Sequence, residues 1–366
     1  MSVRIGIGAL LGITGGPATY ARELVSALAR LGGHEYVVFT DRPEAFAGLD
    51  VTTAHVPLPT AYHQVTWDHG RLRRLLAEQR VDLYHGTKAV LPWRLRQPAV
   101  VTVHDLAVYA HPDTFAWPQR VHFRLFVPPS VARARLVIAD STHARADLIA
   151  RFGLEPGRVR AVPLGVARAH GVSPSPAAIE AFRAIHGLGA QLVSCVGTVQ
   201  PRKHVERVID AFVRADGASR GWQLVIAGRL RPGYAPPWLT GLPPGVRWLG
   251  PLSDVELLAL NAVAEIAMSA SEYEGFGLTV CEAMAAGTAV VAVATSSIPE
   301  VVGDAGLLCD PESPEELAAA LRRVLDEPGL ADELSGRGLV RAGRFTWDAT
   351  AAALLVALER AAQPGA

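Results

Sequence analysis

The chain has 366 residues, half of them hydrophobic, with 35 Lys+Arg against 35 Asp+Glu. That length suits two domains of ordinary size, and a formal net charge of zero gives no global field to recruit nucleic acid or a membrane. The charge is unevenly split: residues 1–168 hold 20 Lys+Arg against 13 Asp+Glu, and residues 169–366 hold 15 against 22. The basic half is the better candidate for an anionic acceptor or a peripheral membrane contact, with uneven surface composition as the plain alternative. Cys195, Cys281 and Cys309 lack metal-ligand spacing and read as buried free thiols of a reducing compartment. With no DxD or His/Cys cluster, neither a metal nor another cofactor is expected. Met1 runs into a strand without a signal-peptide core, and no apolar run reaches membrane-span length, so a cytoplasmic location is expected.

In chain order, Val3 to Ala9 reads as a strand, followed by Gly12 and by Thr14-Gly15-Gly16-Pro17. A helix from about Pro17 to Leu31 is predicted by Tyr20, Leu24, Leu28 and Leu31 on one face and by Pro in the first turn. Tyr36 to Thr40 is the next strand, making a βαβ start. Gly6 and Gly8 with Asp41 offer an NAD fingerprint, but Leu11 stands where a third glycine belongs. The better reading is a Gly15-Gly16 loop under a phosphate or sugar. Strands follow at Val51 to Pro57 and Val81 to His85, flanking a basic, aromatic helix from about His63 to Gln79.

Ala99 to Val103 is a buried strand ending in His104-Asp105. A His at the carboxyl end of a parallel strand lies where such sheets bind ligands, so His104 is a candidate donor to a sugar hydroxyl or a developing charge. His85 is divided between that role and a core histidine. Residues 111–135, rich in Pro, aromatics and Arg, read either as an acceptor-side or membrane-facing helix or as a solvated face. Leu136 to Ala139 is a strand, Ser141 an N-cap for a helix through Ile149, and Val159 to Val162 the last strand of this half. Gly171, Ser173, Pro174, Ser175 and Pro176 signal a linker, placing the boundary between residues 170 and 171.

The second half opens with a strand, Leu192 to Val196, then Gly197-Thr198-Val199-Gln200-Pro201-Arg202-Lys203 and a helix from Val205 to Val213. Only Lys88 and Lys203 among the basic residues are lysine, which draws attention to Lys203, and less to Lys88, as a candidate for a role that arginine would not fill. Arg202 can grip a diphosphate bidentately beside Lys203 as a point charge; a solvated pair is the alternative. Strands Leu224 to Ala227 and Val246 to Leu249 end in Gly228-Arg229 and Gly250, and Asp254 to Ala264 is helical. Ile266 to Met268 then leads into Ser269 to Val293: a loop carrying Glu274, Gly275, Phe276 and Gly277, a helix from Leu278 through Thr279 and Glu282 to Ala286, Gly287 as C-cap, and the strand Ala289 to Val293. A helix N-terminus after a glycine loop suits a phosphate. Glu274 falls in the loop, and Glu282, one turn into the helix, can accept from vicinal hydroxyls. A capping carboxylate and an exposed helix Glu are the plain readings of the pair. Pro299 to Gly303, Leu307 to Cys309, a helix from Pro314 to Leu325 and a last helix after Phe345-Thr346-Trp347 close the chain.

These motifs resemble the family 4 retaining glycosyltransferases nearly end to end. The resemblance runs through Gly15-Gly16 with Tyr20 and Glu23, Thr102-Val103-His104-Asp105, Ile138 to Thr142 and Val162 to Val166. It continues through Gly197-Thr198 with Pro201-Arg202-Lys203, Glu274-Gly275-Phe276-Gly277 to Glu282-Ala283-Met284, Pro299 to Gly303 and Phe345 to Trp347. It implies an α/β chain of GT-B fold, two Rossmann-like domains with parallel sheets facing across a cleft. Residues 1–170 would form the acceptor domain, with a helix of about 346–366 returning onto it, and residues 171–345 the nucleotide-sugar donor domain. It implies that Arg202 and Lys203 hold the diphosphate with N–H groups near Phe276 to Thr279, with Gly197, Thr198, Gly228 and Arg229 also in the donor site. Glu282 would bind the ribose and Glu274 the donor sugar, while His104 and the Gly16 loop reach that sugar from the other domain. Transfer would be retaining and metal-independent, to a hydroxyl acceptor of unassigned class. His204, Ala270 and Thr279 stand where the family commonly has Asn, Pro and Pro, and none of these removes a proposed charge. The segment His104 to Asp113 resembles mannosyltransferase-like members, favouring GDP-mannose, then UDP-glucose. A nucleotide-sugar epimerase of the same fold, an NAD-dependent oxidoreductase and a silent sugar-binding scaffold are the alternatives.

Overall fold

A computed structural model describes residues 2–12, 15–57, 71–166 and 174–363. The chain divides into two compact units, Met1–Gly165 with Phe345–Ala366, and Val166–Arg344. The division falls a few residues before the boundary read from the sequence. Gly171 and Ser173 of the predicted linker, and the His63 to Gly70 part of the predicted helix, lie outside the described residues.

The first unit is built on a seven-stranded sheet ordered β3-β2-β1-β4-β5-β6-β7. Its strands are β1 (Arg4–Gly8), β2 (Glu35–Thr40), β3 (Thr52–His55), β4 (Leu83–Gly86), β5 (Ala99–Val103), β6 (Leu136–Ala139) and β7 (Val159–Ala161). All pairings are parallel, with Ile5 opposite Tyr36 on one side and Leu83 on the other. Helices on both faces explain the continuous apolar strands: β5 and β6 are buried at every position. The Gly16–Leu31 helix buries Tyr20, Leu24 and Leu28 along one stripe. The Trp347–Ala362 helix packs beside it, burying Leu354 and Leu358, each worth about 2 kcal/mol. Arg30 pairs with Asp348 at 2.5 Å, and Thr350 Oγ1 donates to Pro163 O at 2.8 Å. Gly165 permits this return, since a Cβ there would lie 2.3 Å from Trp347 N.

The second unit repeats the plan with a six-stranded parallel sheet ordered β10-β9-β8-β11-β12-β13. The strands are β8 (Leu192–Val196), β9 (Gln223–Ala227), β10 (Val246–Trp248), β11 (Ile266–Ser269), β12 (Ala289–Val293) and β13 (Gly306–Cys309). Its core joins Val193, Ile226, Met268 and Val291 of the sheet to Val208, Phe212, Leu317 and Leu321 of the helices. Two helices depart from the sequence reading. Pro174 to Pro176 reads as linker, yet Ser175 is an N-cap, accepting from Ala178 N at 3.2 Å, and Pro176 opens a helix to His186. The Leu330–Ala342 helix carries Gly336 and Gly338, poor helix formers. A Cβ at Gly338 would lie 3.4 Å from Met284, so the glycine sits where two helices pack closely.

Candidate active site

In each sheet the strand order turns back at one place, between β1 and β4 and between β8 and β11. In doubly wound sheets ligands bind outside the carboxyl ends of the strands at such a point. Gly15 and Gly16 follow β1, Arg202 and Lys203 follow β8, and Glu274 follows β11 at these places, while His104 follows the neighbouring β5 and Gly228 and Arg229 the neighbouring β9.

In the second unit, β8 runs into Gly197 and Thr198, and β9 into Gly228 and Arg229. The two loops are joined: Gly197 N donates to Ala227 O at 2.9 Å and Val199 N to Arg229 O at 2.9 Å. Gly228, at φ 145°, is pressed on Gly197, and a Cβ on it would lie 1.8 Å from Gly197 O. A short 3-10 turn, Pro201–Lys203, presents Arg202 and Lys203, and His204 adopts the left-handed conformation (φ 44°) before the Val205–Arg214 helix. Histidine tolerates that region better than most residues, as does asparagine. His204 sits 3.1 Å from Glu206 and 3.2 Å from Glu272, and the Glu206 hydrogen bond foremost holds its pKa up.

The loop after β11 meets this turn. Glu272 N donates to Arg202 O at 2.9 Å. Lys203 Nζ donates to Glu274 Oε1, Arg202 Nη1 donates to Tyr273 O, and the Arg202 guanidinium lies 3.7 Å from Glu274 Oε2. All three charged side chains are largely enclosed, at 12–15 % exposure. Burial alone would raise the Glu274 pKa; Lys203 and then Arg202 outweigh it and hold it below the usual value. Glu274 is also fixed through its backbone, by Ser296 Oγ accepting from its N–H at 2.7 Å and Ser297 Oγ donating to its carbonyl at 3.0 Å. Ser296 has φ 48°, a strained conformation for serine.

Gly275 and Phe276 are buried in this loop. Gly277 is the N-cap of the Leu278–Ala285 helix at φ 92°, where a Cβ would meet Ile298 Cδ1 at 2.7 Å. Glycine is therefore required on both conformational and steric grounds. The helix has no acidic residue in its first turn and no side-chain cap, so no side chain of its own first turn offsets the N-terminal field. Gly287 closes it, with Thr288 N donating to Ala283 O at 3.0 Å and Gly287 N to Met284 O at 3.1 Å. Glu282 lies on this helix, apart from the Lys203–Glu274 pair. Burial, and then the Asp254 charge, push its pKa up to about 7. The sequence reading missed Arg231: it donates to Gln200 at 3.2 Å, and burial and then the Arg202 charge lower its pKa. Its only sequence signal was a second arginine after Gly228.

In the first unit, His104 follows β5. Its Nδ1 is 2.8 Å from Asp140 Oδ2 and its Nε2 3.0 Å from Thr87 O. Thr87 O can only accept, so Nε2 donates to it; when Nδ1 also donates, to an ionised Asp140, the ring is an imidazolium. Burial opposes the charge, but Asp140 foremost outweighs it and raises the His104 pKa. In this arrangement neither ring nitrogen is free to meet a sugar hydroxyl; His104 offers a fixed positive charge held by Asp140, a residue beyond β6 not singled out in the sequence as a site residue. Tyr20 stacks edge-on to His104 with centroids 4.8 Å apart, and its hydroxyl lies 3.0 Å from Thr102 Oγ1. His85 Nε2 lies 2.8 Å from the same Thr102 oxygen. Fully buried, His85 has its pKa pushed down to about 3 by burial and then by His104; it is a neutral core histidine. Gly15, at φ 149°, caps the Gly16–Leu31 helix without a side chain, and a Cβ on Gly15 or Gly16 would meet nothing within 4 Å. Asp41 spends its carboxylate on Leu11 N (2.6 Å) and Gly12 N (2.9 Å), so it anchors the loop rather than presenting acceptors to a ribose. Among the described residues no group of three or more His, Cys, Asp or Glu could hold a metal ion.

Two Rossmann-like parallel-sheet units with such loops define the GT-B glycosyltransferase fold, and the comparisons agree. The family model "Glycosyltransferase Family 4" matches residues 14–170 and "Glycosyl transferases group 1" matches residues 179–339. The chain belongs to glycosyltransferase family 4. It is 29% identical to the O-antigen chain mannosyltransferase B of Escherichia coli over 75% of this chain and 73% of that protein. It is likewise 29% identical to the MMP alpha-(1->4)-mannosyltransferase of Mycolicibacterium hassiacum over 95% of each. Among solved structures, Anabaena HepE in complex with UDP-glucose superposes with a TM-score of 0.76 at 19% identity, covering 98% of this chain and 99% of that one. Sucrose-phosphate synthase from Thermosynechococcus elongatus gives 0.76 at 23% identity over 98% of each chain. At these identities the structures establish the fold. The family assignment lends no support to the epimerase and oxidoreductase readings.

Proposed function

We propose that this glycosyltransferase moves a hexose, mannose in preference to glucose, with retention and without a metal, from a nucleoside-diphosphate sugar to a hydroxyl acceptor. The observation that carries the reading is the Arg202–Lys203–Glu274 cluster beside the uncapped N-terminus of the Leu278–Ala285 helix. Two cations and one carboxylate leave a net positive charge, with Arg231 close by, and the helix field adds to it. A leaving diphosphate develops negative charge as the glycosidic bond breaks, and enclosed cations placed there stabilise that charge most where water is thin. Lys203 and Arg202 take the diphosphate in this reading, which frees Glu274 to meet the sugar. Glu282, half-buried and with its pKa raised, accepts from the ribose hydroxyls. No metal is then needed for charge neutralisation. Mannose is favoured by two relatives named as mannosyltransferases; the HepE complex with UDP-glucose keeps glucose second.

The test is a proton NMR assay of sugar release and transfer from GDP-mannose and UDP-glucose, with and without EDTA. Turnover of GDP-mannose that survives EDTA and gives a product of unchanged anomeric configuration supports the reading. Inversion, or turnover restored only by a divalent ion, refutes that part of it.

A further inference from the structure

Three consecutive hydroxyls follow β12, and all three are engaged by the loop after β11. Thr295 Oγ1 donates to Ser271 O at 2.6 Å. Ser296 Oγ accepts from Glu274 N at 2.7 Å, and Ser297 Oγ donates to Glu274 O at 3.0 Å. β11 and β12 are paired neighbours, with Ser269 opposite Ala292, so the two loops leave the sheet side by side. Ile298 N donates back to Thr295 O at 2.9 Å, closing a tight turn over residues 295–298. Ile298 itself is buried, with its Cδ1 2.7 Å from where a Cβ on Gly277 would stand. The turn therefore meets the candidate site at Ser271, Glu274 and Gly277.

Ser296 is the second residue of this turn and has φ 48°. A positive φ at that position favours glycine, which adopts it without strain. Serine gives up that ease and supplies one hydroxyl, placed on the Glu274 N–H. Strain kept at a site points to what the strained residue does there. With the N–H and the carbonyl of Glu274 both held, the peptide planes on either side of it are fixed, and with them the direction of its side chain.

This anchor matters most when the donor arrives. At rest the Glu274 carboxylate is held by Lys203, by Arg202 and by the Ser271 hydroxyl. In the donor reading the diphosphate takes both cations. Ser271 and the backbone of Glu274 are then what orient the carboxylate toward the sugar, and the 295–298 turn holds both. A misplacement of about 1 Å in such a group costs on the order of a hundredfold in rate.

We propose that Ser296 is a positioning residue for sugar transfer: its hydroxyl fixes the Glu274 backbone, so the carboxylate keeps its aim when Lys203 and Arg202 turn to the diphosphate. This role rests on the donor reading given above.

Ser296→Gly and Ser296→Ala test it together. Both remove the hydroxyl; glycine also relieves the φ, so Ser296→Gly should melt above Ser296→Ala and within about 4 °C of the wild type. Sugar release from GDP-mannose and UDP-glucose, followed by proton NMR, gives kcat and KM. Both variants should lose about tenfold in kcat at unchanged KM, the effect of one hydrogen bond realised in the transition state. Affinity for the nucleoside diphosphate of the sugar turned over should stay at the wild-type value, because Arg202 and Lys203 are untouched. Wild-type kcat in either variant, a kcat that follows the melting temperature across the pair, or an equal fall in nucleoside-diphosphate affinity would each overturn the proposal. A wild type that turns over neither nucleotide sugar would overturn the donor reading, and this role with it.

Discussion

Lys203 Nζ donates to Glu274 Oε1 across 71 residues of sequence, joining the turn after β8 to the loop after β11. The pair closes the point where the second sheet reverses its order. It is the resting state from which the proposed diphosphate site is made.

Because Glu274 neutralises two enclosed cations, Glu274→Gln should destabilise the protein by about 3 kcal/mol, the cost of stranding buried charge. Inorganic pyrophosphate should restore part of that loss. Differential scanning calorimetry with and without pyrophosphate checks it: a larger melting-temperature gain in the variant than in the wild type is expected. The depressed Glu274 pKa contributes stability that is present above the unfolded value of 4.5 and is lost as pH falls through the folded one.

Glu282 has the opposite sign. Its pKa of about 7 against an ordinary 4.5 makes ionisation unfavourable to folding, so its contribution declines as pH rises from 4.5 to 7 and then levels. Glu282→Gln should flatten the urea-midpoint profile over that window. If ribose hydroxyls donate to the carboxylate, nucleotide binding at pH 6 should release a proton. Titration calorimetry in buffers of differing ionisation enthalpy reads that proton directly, and the Gln variant should lose it.

Thr87 O accepts from His104, and an ionised Asp140 accepting as well favours the charged ring. A histidine with a raised folded pKa stabilises fully below its unfolded value of 6.5, and that contribution is lost as pH rises through the folded value. Asp140→Asn should bring the His104 titration, followed by NMR, below its wild-type midpoint and remove this pH dependence. His104→Gln, which keeps polar contacts without the charge, should lower kcat more than KM if the fixed charge serves the chemistry.

Glycines separate fold from function. Gly228→Ala places a Cβ against Gly197 O at an adverse φ and should cost at least about 2 kcal/mol. Gly16→Ala meets open space and should leave the melting temperature unchanged; a fall in turnover would then mark close ligand approach.

The parallel sheets were legible because buried strands read as unbroken β-branched runs, such as Ala99 to Val103 and Ala289 to Val293. Lys203 stood out chemically in an arginine-dominated chain, and the C-cap at Gly287 followed from local rules. What escaped depended on tertiary context. Ser175-Pro176 is equally good as a linker and as a helix start, and packing decided for the helix. The Leu330–Ala342 helix hid behind its glycines, one of which serves contact with Met284. Asp140, Thr87 and Ser296 are unremarkable in sequence; each gains its part only when neighbouring strand ends bring it to His104 or Glu274. The double donation by His104 could not be read from a strand-end histidine alone.

The most direct measurement of the central claim is titration calorimetry of GDP and UDP, without added metal, into the wild type and Lys203→Ala. Binding of one nucleoside diphosphate by the wild type and a loss of about thirtyfold in the variant are expected, as removal of one charge-assisted contact entails. Equal affinity in both proteins would contradict the diphosphate role of Lys203, and binding of neither nucleotide by the wild type would contradict the donor site itself.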